Sequence, residues 1–262
     1  MGVLNVTPDS FSDGGQFLSL DDALWHAEQM IIEGADIIDI GGESTRPGSS
    51  FVSEDEELCR VIPVIERLAN LSAPISIDTT KSEVARVAVK AGAEIINDIS
   101  GLRFEPALAE VAAEAKAGLV LMHSRGTPKD MQQMPFAEDV MSDVVEGWRS
   151  SIAVAEERGV VRQAIAIDPG IGFGKSVQQN LKLIGKLEQL SDNFSDVPIL
   201  IGTSRKSFIG KLLDGAPADA RLHGTIATLV ASVLNGADIV RVHDVKSAVE
   251  ALRIAEAIRN VN

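Results

Sequence analysis

Residues 75–98 read ISIDTTKSEVARVAVKAGAEIIND and contain a complete strand–helix–strand pattern. The runs at the two ends, ISID and EIIND, are short, apolar and rich in isoleucine, as is typical of parallel strands covered on both faces. The stretch between them has the apolar spacing of an amphipathic helix, and Gly92 follows that helix where a left-handed C-cap is needed. The segment therefore predicts two parallel strands joined by a helical crossover.

The same pattern repeats on both sides of this unit. Short apolar runs alternate with amphipathic stretches at VLNV (3–6), DIIDIG (36–41), ISID (75–78), EIINDI (94–99), LVLMH (119–123), AIAID (164–168), ILIGTS (199–204) and IVRVHD (239–244). This alternation predicts an α/β fold, a (β/α)8 TIM barrel, with a doubly wound parallel sheet as the alternative. No linker divides the chain, so we expect a single domain over residues 1–262. Left-handed C-caps are expected at Gly34, Gly92, Gly118, Gly159 and Gly236.

Composition and charge exclude several classes of function. The chain has 262 residues, 45% of them hydrophobic, and 24 Lys and Arg against 38 Asp and Glu give a formal net charge of −14. A field of this sign repels polyanions, so no nucleic-acid partner is expected. The sequence lacks both an apolar run long enough for a membrane helix and a signal peptide, which predicts a cytoplasmic protein with no membrane partner. Cys59 is the single cysteine, which excludes a disulfide framework.

Polar side chains stand at the C-terminal end of every predicted strand. In a barrel these ends and the loops after them form the active face. One buried carboxylate there is usually a satisfied structural group, but several on one rim indicate a site, because an uncompensated buried charge is costly. The residues at these ends are Asn5, Asp39, Glu43, Ser44, Thr45, Arg46, Asp78, Asn97, Asp98, His123, Asp168, Ser204, Arg205, Lys206, Arg241 and His243.

These residues predict a ligand with two different ends. Asp78, Asn97 and Asp168 would form an acceptor-rich floor for a flat heterocycle that presents adjacent N–H and NH2 donors. A phosphate or carboxylate would be held by a basic cluster of Arg46, Lys175, Arg205, Lys206, Arg241 and His243. The sequence lacks the histidine spacing of a tightly held transition metal, whereas a magnesium ion arriving with a diphosphate, held by Asn5 and substrate oxygens, would leave no cluster in the sequence. The run DPGIGFGKS (168–176) lacks phosphate-loop spacing, so its glycines are expected to let the backbone approach the ligand.

Motifs along almost the full chain resemble those of dihydropteroate synthases of folate biosynthesis. In order they are NVTPDSFSDGG (5–15), GGESTRPGS (41–49), ISIDTTK (75–81), IINDISG (95–101), LMHSRGTPKDMQ (121–132), DPGIGFGK (168–175), GTSRKSFIG (202–210) and VRVHDV (240–245). The resemblance implies a barrel enzyme that joins 6-hydroxymethyl-7,8-dihydropterin diphosphate to p-aminobenzoate with release of diphosphate. It also implies a requirement for Mg²⁺, a homodimer and a target of sulfonamides.

Residue roles carry over from these motifs. The resemblance implies a catalytic role for Asp78, Lys206, Arg241 and His243. It implies a pterin site made by Asp78, Asn97, Met122, Asp168, Phe173, Gly202 and Lys206. For p-aminobenzoate it implies Phe11, Asp13, Thr45, Arg46, Pro47 and Ser207, and for the diphosphate Asn5, Arg241 and His243, with Asn5 also binding the metal.

Two features depart from the family pattern. Family members begin with a hairpin that closes the lower mouth of the barrel, whereas Met1 stands immediately before the first predicted strand, so we expect a barrel lacking the usual N-terminal hairpin. The chain has no tyrosine, and ring stacking is therefore expected from Phe173 or an arginine face.

The chemistry implied is substitution at an exocyclic methylene. Diphosphate would leave first, and Asp78 would stabilise the pterin cation that remains. Three alternatives stay open. The first is a methyltetrahydrofolate–corrinoid methyltransferase, which would have little use for a diphosphate clamp; the second is a Schiff-base aldolase with Lys206 as nucleophile; the third is a non-catalytic pterin-binding paralogue.

Overall fold

Eight parallel strands form a closed ring in the structure, a computed structural model that describes residues 1–6, 20–44, 49, 51–127, 131 and 136–261. They are β1 (Gly2–Asn5), β2 (Ile38–Gly41), β3 (Ile75–Asp78), β4 (Ile95–Asp98), β5 (Gly118–Met122), β6 (Ile165–Asp168), β7 (Leu200–Ile201) and β8 (Ile239–Val240). β1 to β6 pair in sequence order, and β7 pairs with β8. Parallel bridges from Ile167 to Ile199 and from Gly2 to Val242 join the two sheets at both edges. The predicted (β/α)8 barrel is therefore confirmed.

Helices follow the strands and cover the outside of the barrel. Within the described residues they are α1 (Leu20–Ile32), α2 (Glu54–Leu68), α3 (Ser82–Ala91), α4 (Ala107–Ala115), α5 (Val140–Glu157), α6 (Val177–Gly185), α7 (Leu187–Ser191), α8 (Ser207–Leu212), α9 (Leu222–Leu234) and α10 (Val245–Arg259). Their apolar faces share one core with outward-facing strand residues such as Leu4, Ile40 and Ile77, which are fully buried. None of these helices is long and apolar enough to cross a membrane.

Part of the barrel interior is apolar. Met1, Val120, Ala166 and Leu200 form a small cluster of their own, separate from the core between strands and helices. Side chains two positions further along these strands point to the same side, towards the active face. Met122 and Asp168, at the ends of β5 and β6, therefore lie above this apolar cluster.

The last two strands are shorter than the sequence predicts. The runs 199–204 and 239–244 were expected to be strands throughout, whereas β7 and β8 each have two residues. The ladder continues for one more bond, from the N–H of Arg241 to the carbonyl of Ile201 at 2.9 Å. The next backbone donor, the N–H of His243, bonds to the Ser204 hydroxyl at 3.2 Å instead. A side chain thus takes the place of the strand partner where the active face begins.

One of the predicted left-handed C-caps is wrong. Gly118 is the first residue of β5, and Lys116, with a φ of +55°, ends α4 in the left-handed conformation. The helix ends earlier than its sequence pattern indicates, so the lysine takes the position expected for glycine. The other predicted caps do have positive φ: Gly34, Gly92, Gly159 and Gly236.

Candidate active site

Asn5, Asp78 and Asn97 lie in one register row across the upper barrel. Asn5 pairs with Gly41, Gly41 with Asp78, and Asp78 with Asn97. Because Gly41 has no side chain, a space is left between its neighbours: a Cβ placed there would lie 3.7 Å from Asn5 Oδ1 and 3.8 Å from Asp78 Oδ2. The row therefore presents amide and carboxylate oxygens from neighbouring strands around a small recess.

Arg241 crosses from β8 to this row and binds two carboxylates. Its Nε donates to Asp39 Oδ2 at 2.6 Å and its Nη2 to Asp78 Oδ2 at 2.7 Å. Asn97 Nδ2 also donates to Asp39 Oδ2, at 3.2 Å. Asp39 is fully buried beneath the guanidinium. The sequence placed Asp39 on the rim without assigning it a partner, whereas the structure makes it the support that orients Arg241 and Asn97.

Burial raises the pKa of the Asp78 carboxyl above its ordinary range. The nearby carboxylates of Asp39, Glu57 and Asp98 act in the same direction, and Arg241 opposes them. The charges around Asp78 add to the effect of burial, because one guanidinium faces both Asp39 and Asp78. A cationic or donor-rich ligand would compensate the remaining negative charge.

The second carboxylate of the floor, Asp168, lies at the end of β6. Its Oδ1 accepts from the N–H of Gly170 at 2.6 Å, and burial raises its pKa, with Lys206 and Lys175 opposing that rise. Lys206 Nζ lies 4.1 Å from the ring centroid of Phe173. Burial lowers the pKa of Lys206 to about 8, against the pull of Asp168. Lys206 is thus a desolvated ammonium beside an aromatic face.

An apolar wall adjoins this side of the floor. Phe173 and Met122, both predicted to line the ring slot, cluster with Ile99 and Met131. The sequence analysis did not single out Ile99 and Met131, although both fall within family motifs. The wall offers the flat, water-poor surface that a heterocyclic ring requires beside its hydrogen-bonding edge.

His243 is held in the neutral state. Burial, together with the positive charges of Arg241 and Arg205, lowers its pKa to about 3. Its Nδ1 lies 3.0 Å from the Ser204 hydroxyl. The sequence analysis counted His243 among the cations, and this is wrong for the free protein, because the ring acts there as a neutral hydrogen-bonding group.

Two other members of the predicted basic cluster, Lys175 and Arg205, form their hydrogen bonds with groups of the protein's own loops. Lys175 Nζ donates to the carbonyls of His123, Gly170 and Phe173 at 3.2, 3.1 and 3.1 Å. Arg205 forms a two-pronged pair with Asp244, at 3.0 and 2.5 Å. Both side chains brace loops, so the prediction that they form an anion cluster is corrected. Arg46 lies outside the described residues.

Two glycines of the run 168–176 serve the protein's own packing. Gly170 has a φ of +65°, and a Cβ there would lie 1.9 Å from the carbonyl oxygen of His123. At Gly174 a Cβ would lie 2.7 Å from the Cβ of Arg125. At Gly170 and Gly174 the close approach is thus to neighbouring loops and not to a ligand. At Gly172 a Cβ would lie 3.3 Å from Cδ of Lys206, so the expected approach of backbone to a ligand stays a prediction for that glycine.

The predicted p-aminobenzoate residues lie mostly outside the described part of the chain. Ser207 is exposed as the first residue of α8, directly after Lys206. Gly202 follows β7, and a Cβ there would lie 3.8 Å from the Cβ of Arg241, so it keeps the space beside that residue open. The residues not described are Phe11, Asp13, Thr45, Arg46 and Pro47.

Comparison with known proteins agrees with this geometry. Residues 1–243 match the family model described as pterin binding enzyme. A dihydropteroate synthase of Bacillus subtilis is 52% identical over 261 residues, covering 99% of this chain and 88% of the relative. The Yersinia pestis dihydropteroate synthase in complex with a sulfonamide drug superposes with a TM-score of 0.94 at 46% identity, covering 100% of this chain and 94% of that one.

A further solved structure carries a small ligand. The Xanthomonas albilineans dihydropteroate synthase with 4-aminobenzoic acid has a TM-score of 0.92 at 44% identity, covering 100% of this chain and 93% of that one. Fold, motif order and sequence identity thus agree over nearly the whole length. The chain belongs to the pterin binding enzyme family and, within it, to the dihydropteroate synthases.

Proposed function

We propose that this protein joins 6-hydroxymethyl-7,8-dihydropterin diphosphate to p-aminobenzoate, forming 7,8-dihydropteroate and diphosphate. The observation that carries the proposal is the row of buried acceptors at the strand ends with Arg241 bound across it. The 52% identity to a dihydropteroate synthase supports the same reaction. So does the 4-aminobenzoic acid in the Xanthomonas albilineans structure.

The ring end of the substrate suits the acceptor floor. Asp78, Asn97 and Asp168 offer carboxylate and amide oxygens to the N–H and NH2 groups of a pterin, and a buried carboxylate binds such a pair of donors strongly. Phe173 and Met122 provide the apolar surface for the ring faces. Lys206 provides a donor for a ring acceptor on the same side, because its ammonium lies over Phe173.

The diphosphate end suits Arg241, His243 and Asn5. Arg241 has five N–H donors, and its bonds to Asp39 and Asp78 use two of them. Within the described residues the other donors have no partner, so they can face an anion. Asn5 Oδ1, beside the recess at Gly41, is a hard oxygen of the kind that Mg²⁺ prefers. Bound magnesium would supply neutralisation of charge on the leaving diphosphate. Asn5 would hold it together with substrate oxygens.

The reaction proposed is a stepwise substitution. The bond between the exocyclic methylene and the diphosphate oxygen breaks, and the electron pair leaves with the diphosphate. Asp78 stabilises the resulting pterin cation by its negative charge. The neutral arylamine nitrogen then donates its lone pair to the methylene, and the proton it loses passes to solvent or diphosphate. A general base is not required, because the amine is already neutral at pH 7.

The test is an assay of purified protein with both substrates and magnesium. We expect dihydropteroate and diphosphate to form in equal amounts, and Arg241→Met to abolish both. A pterin-binding paralogue without activity would bind the substrate and release no diphosphate. An aldolase would be trapped on Lys206 by borohydride, and a methyltransferase would instead consume methyltetrahydrofolate; any of these results refutes the proposal.

We also propose a homodimer formed through α9 and α10. These two helices pack against each other. They leave Leu234, Ile254 and Ile258 exposed at 48, 64 and 66%. Apolar side chains in such a patch are typical of a surface that is covered in an assembly. The cytoplasmic location expected from the sequence stays a prediction.

A further inference from the structure

The hydroxyl of Ser204 makes two contacts with a single residue. Ser204 Oγ lies 3.2 Å from the backbone N of His243 and 3.0 Å from its ring Nδ1. The first contact has a fixed direction, since a backbone N–H can only donate. The second has two possible directions, because either the hydroxyl or Nδ1 can carry the proton.

Hydrogen-bond satisfaction decides between the two directions. Ser204 is 6% exposed, so a hydroxyl proton without an acceptor is costly there. Among the described residues, His243 Nδ1 is the acceptor recorded for this hydroxyl. If Nδ1 carried the proton, the serine would accept twice and its own O–H would have no acceptor within the described part of the chain. The O–H therefore donates to Nδ1, and the ring proton of the neutral imidazole is on Nε2.

The location of His243 beside Arg241 allows this tautomer to donate a hydrogen bond to an anion. Arg241 and His243 stand on either side of Val242, which bridges to Gly2 beyond the end of β8, and the Arg241 charge acts on the His243 ring, so the two side chains lie near each other. Nε2–H is a donor, whereas an unprotonated Nε2 would repel an anion. A neutral ring is the expected form here, because burial and the positive charges of Arg241 and Arg205 lower the pKa of His243.

We propose that Ser204 is a positioning residue that holds His243 in the Nε2–H tautomer, so that the neutral ring donates to the diphosphate of the substrate. The inference rests on the proposed function for its ligand. The tautomer itself is a property of the free protein. It can be tested whether or not the enzyme turns over.

The first measurement is the ¹⁵N spectrum of the imidazole rings in histidine-labelled protein at pH 7.5. The signals of His243 are identified by their loss in His243→Gln. We expect the wild-type ring to show the Nε2–H pattern and Ser204→Ala to show a mixture of tautomers. Ser204→Thr, which keeps the hydroxyl, is expected to restore the wild-type pattern. A wild-type Nδ1–H pattern, or an Nε2–H pattern that survives unchanged in Ser204→Ala, refutes the inference.

The second measurement is the dissociation constant for inorganic diphosphate with magnesium. It is expected to rise by about tenfold in Ser204→Ala and to stay near the wild-type value in Ser204→Thr. Equal affinities in all three proteins refute the role in anion binding. If the wild-type protein shows the Nε2–H pattern and binds diphosphate but makes no dihydropteroate, the proposed function fails while this inference stands.

Discussion

Asp78 shares a single guanidinium with a second carboxylate. Arg241 contacts both Asp78 and the fully buried Asp39, so one positive charge faces two carboxyl groups in a water-poor place. The pKa of Asp78 is raised to about 7, and its ionised form places a negative charge there. Such a charge stabilises a cation that forms beside it, and it does so more strongly than in water. Binding of a neutral pterin depends much less on that charge, because an amide of the same shape still accepts one hydrogen bond.

This argument predicts a split between turnover and binding in Asp78→Asn. We expect kcat to fall by roughly 100-fold, the scale of losing one preorganised charge at a transition state, while the dissociation constant for the pterin substrate rises only a few-fold. Steady-state kinetics and calorimetry measure the two quantities. A thermal melt controls for folding, and equal losses of kcat and pterin affinity would contradict the cation role.

His123 is a buried neutral histidine outside the proposed substrate contacts. Its Nε2 lies 3.3 Å from Asp143 Oδ2. Burial lowers its pKa to about 4, and the Asp143 carboxylate opposes that shift only in part. Because an unfolded histidine titrates near 6.5, the unfolded state binds a proton between pH 6.5 and 4 that the folded state does not bind. The free energy of unfolding must therefore decrease as the pH falls through this interval.

The prediction is made for His123→Gln, which cannot titrate. Between pH 7 and pH 5, the free energy of unfolding of the variant is expected to fall by about 2 kcal/mol less than that of the wild type. Urea unfolding at both pH values measures the difference. His223→Gln, at an exposed position, is the matched control and should keep the wild-type dependence. Identical pH dependence in His123→Gln and wild type would show that the ring is not held neutral.

At the scale of elements, one buried lysine joins three segments near the active face. Lys81 Nζ contacts Glu43, which follows β2, and Glu57, which lies in the first turn of α2, while Lys81 itself precedes α3. Glu57 is fully buried and Lys81 nearly so. Glu43 Oε1 also accepts from the N–H of Val52 at 3.4 Å. Through Glu43, the chain on either side of residues 45–48 is thus bonded to Lys81 before α3 and, through this lysine, to α2.

Removing the lysine leaves the buried Glu57 carboxylate and the half-buried Glu43 carboxylate without their shared cation. We expect Lys81→Met to lower the free energy of unfolding by about 3 to 5 kcal/mol. Arg86→Met on α3, which breaks only exposed pairs with Glu83 and Glu114, is expected to cost less than about 1 kcal/mol. Denaturant titration compares the two. Similar small losses in both variants would mean that the buried pair is no more important than a surface pair.

Among the glycines of the loop after β6, Gly170 has the tightest surroundings. Gly170 combines a positive φ with an approach to the His123 carbonyl that leaves no room for a Cβ, and its N–H binds Asp168. Gly170→Ala is expected to cost more than about 2 kcal/mol of stability and to weaken pterin binding, because the loop must shift to make room for the Cβ and moves the N–H that bonds to Asp168.

The matched control is Gly185→Ala at the end of α6, where a Cβ meets no atom within 4 Å. It is expected to leave pterin binding unchanged and to stabilise the protein by up to about 1 kcal/mol. Thermal unfolding and pterin calorimetry measure both variants. Gly170→Ala behaving like Gly185→Ala would refute the packing argument.

At the scale of the whole molecule, acidity and anion binding coexist. The net charge is −14, yet the proposed diphosphate end faces Arg241, and Lys206 lies beside the ring floor. A buried charge acts locally, whereas surface charges are screened by salt within roughly 10 Å. The overall field therefore opposes polyanions without preventing a small anion from binding at the strand ends.

The apolar patch on α9 and α10 leads to a prediction about assembly. We expect the wild-type protein to be a dimer in light scattering and Ile254→Lys to be a monomer, because a buried lysine in the interface would be unpaired. Trp25→Lys, which changes an exposed apolar residue on α1, serves as control and should remain dimeric. A monomeric wild type, or a dimeric Ile254→Lys, would refute the proposed interface.

The sequence by itself determined the barrel and the set of side chains at its upper mouth. Strand and helix periodicity are local properties, and the alternation of side chains along a strand already directs Asp78, Asn97 and Asp168 inward once the strand order is known. The strands predicted at ISID and EIINDI match β3 and β4 to within one residue. The predicted roles at the unseen positions, such as Arg46, stay predictions.

Only the tertiary structure decided the charge states and partners. Arg241 binds Asp39 across 202 positions and Asp78 across 163, and sequence spacing carries no information about such contacts. Lys175 bonds to the carbonyl of His123, a residue that is its neighbour only in the folded chain. His243 is a neutral donor because burial and nearby positive charges lower its pKa. Periodicity is a property of residues that are neighbours in the sequence. The ionisation of a group depends instead on the atoms around it in space, and these come together only when the barrel closes.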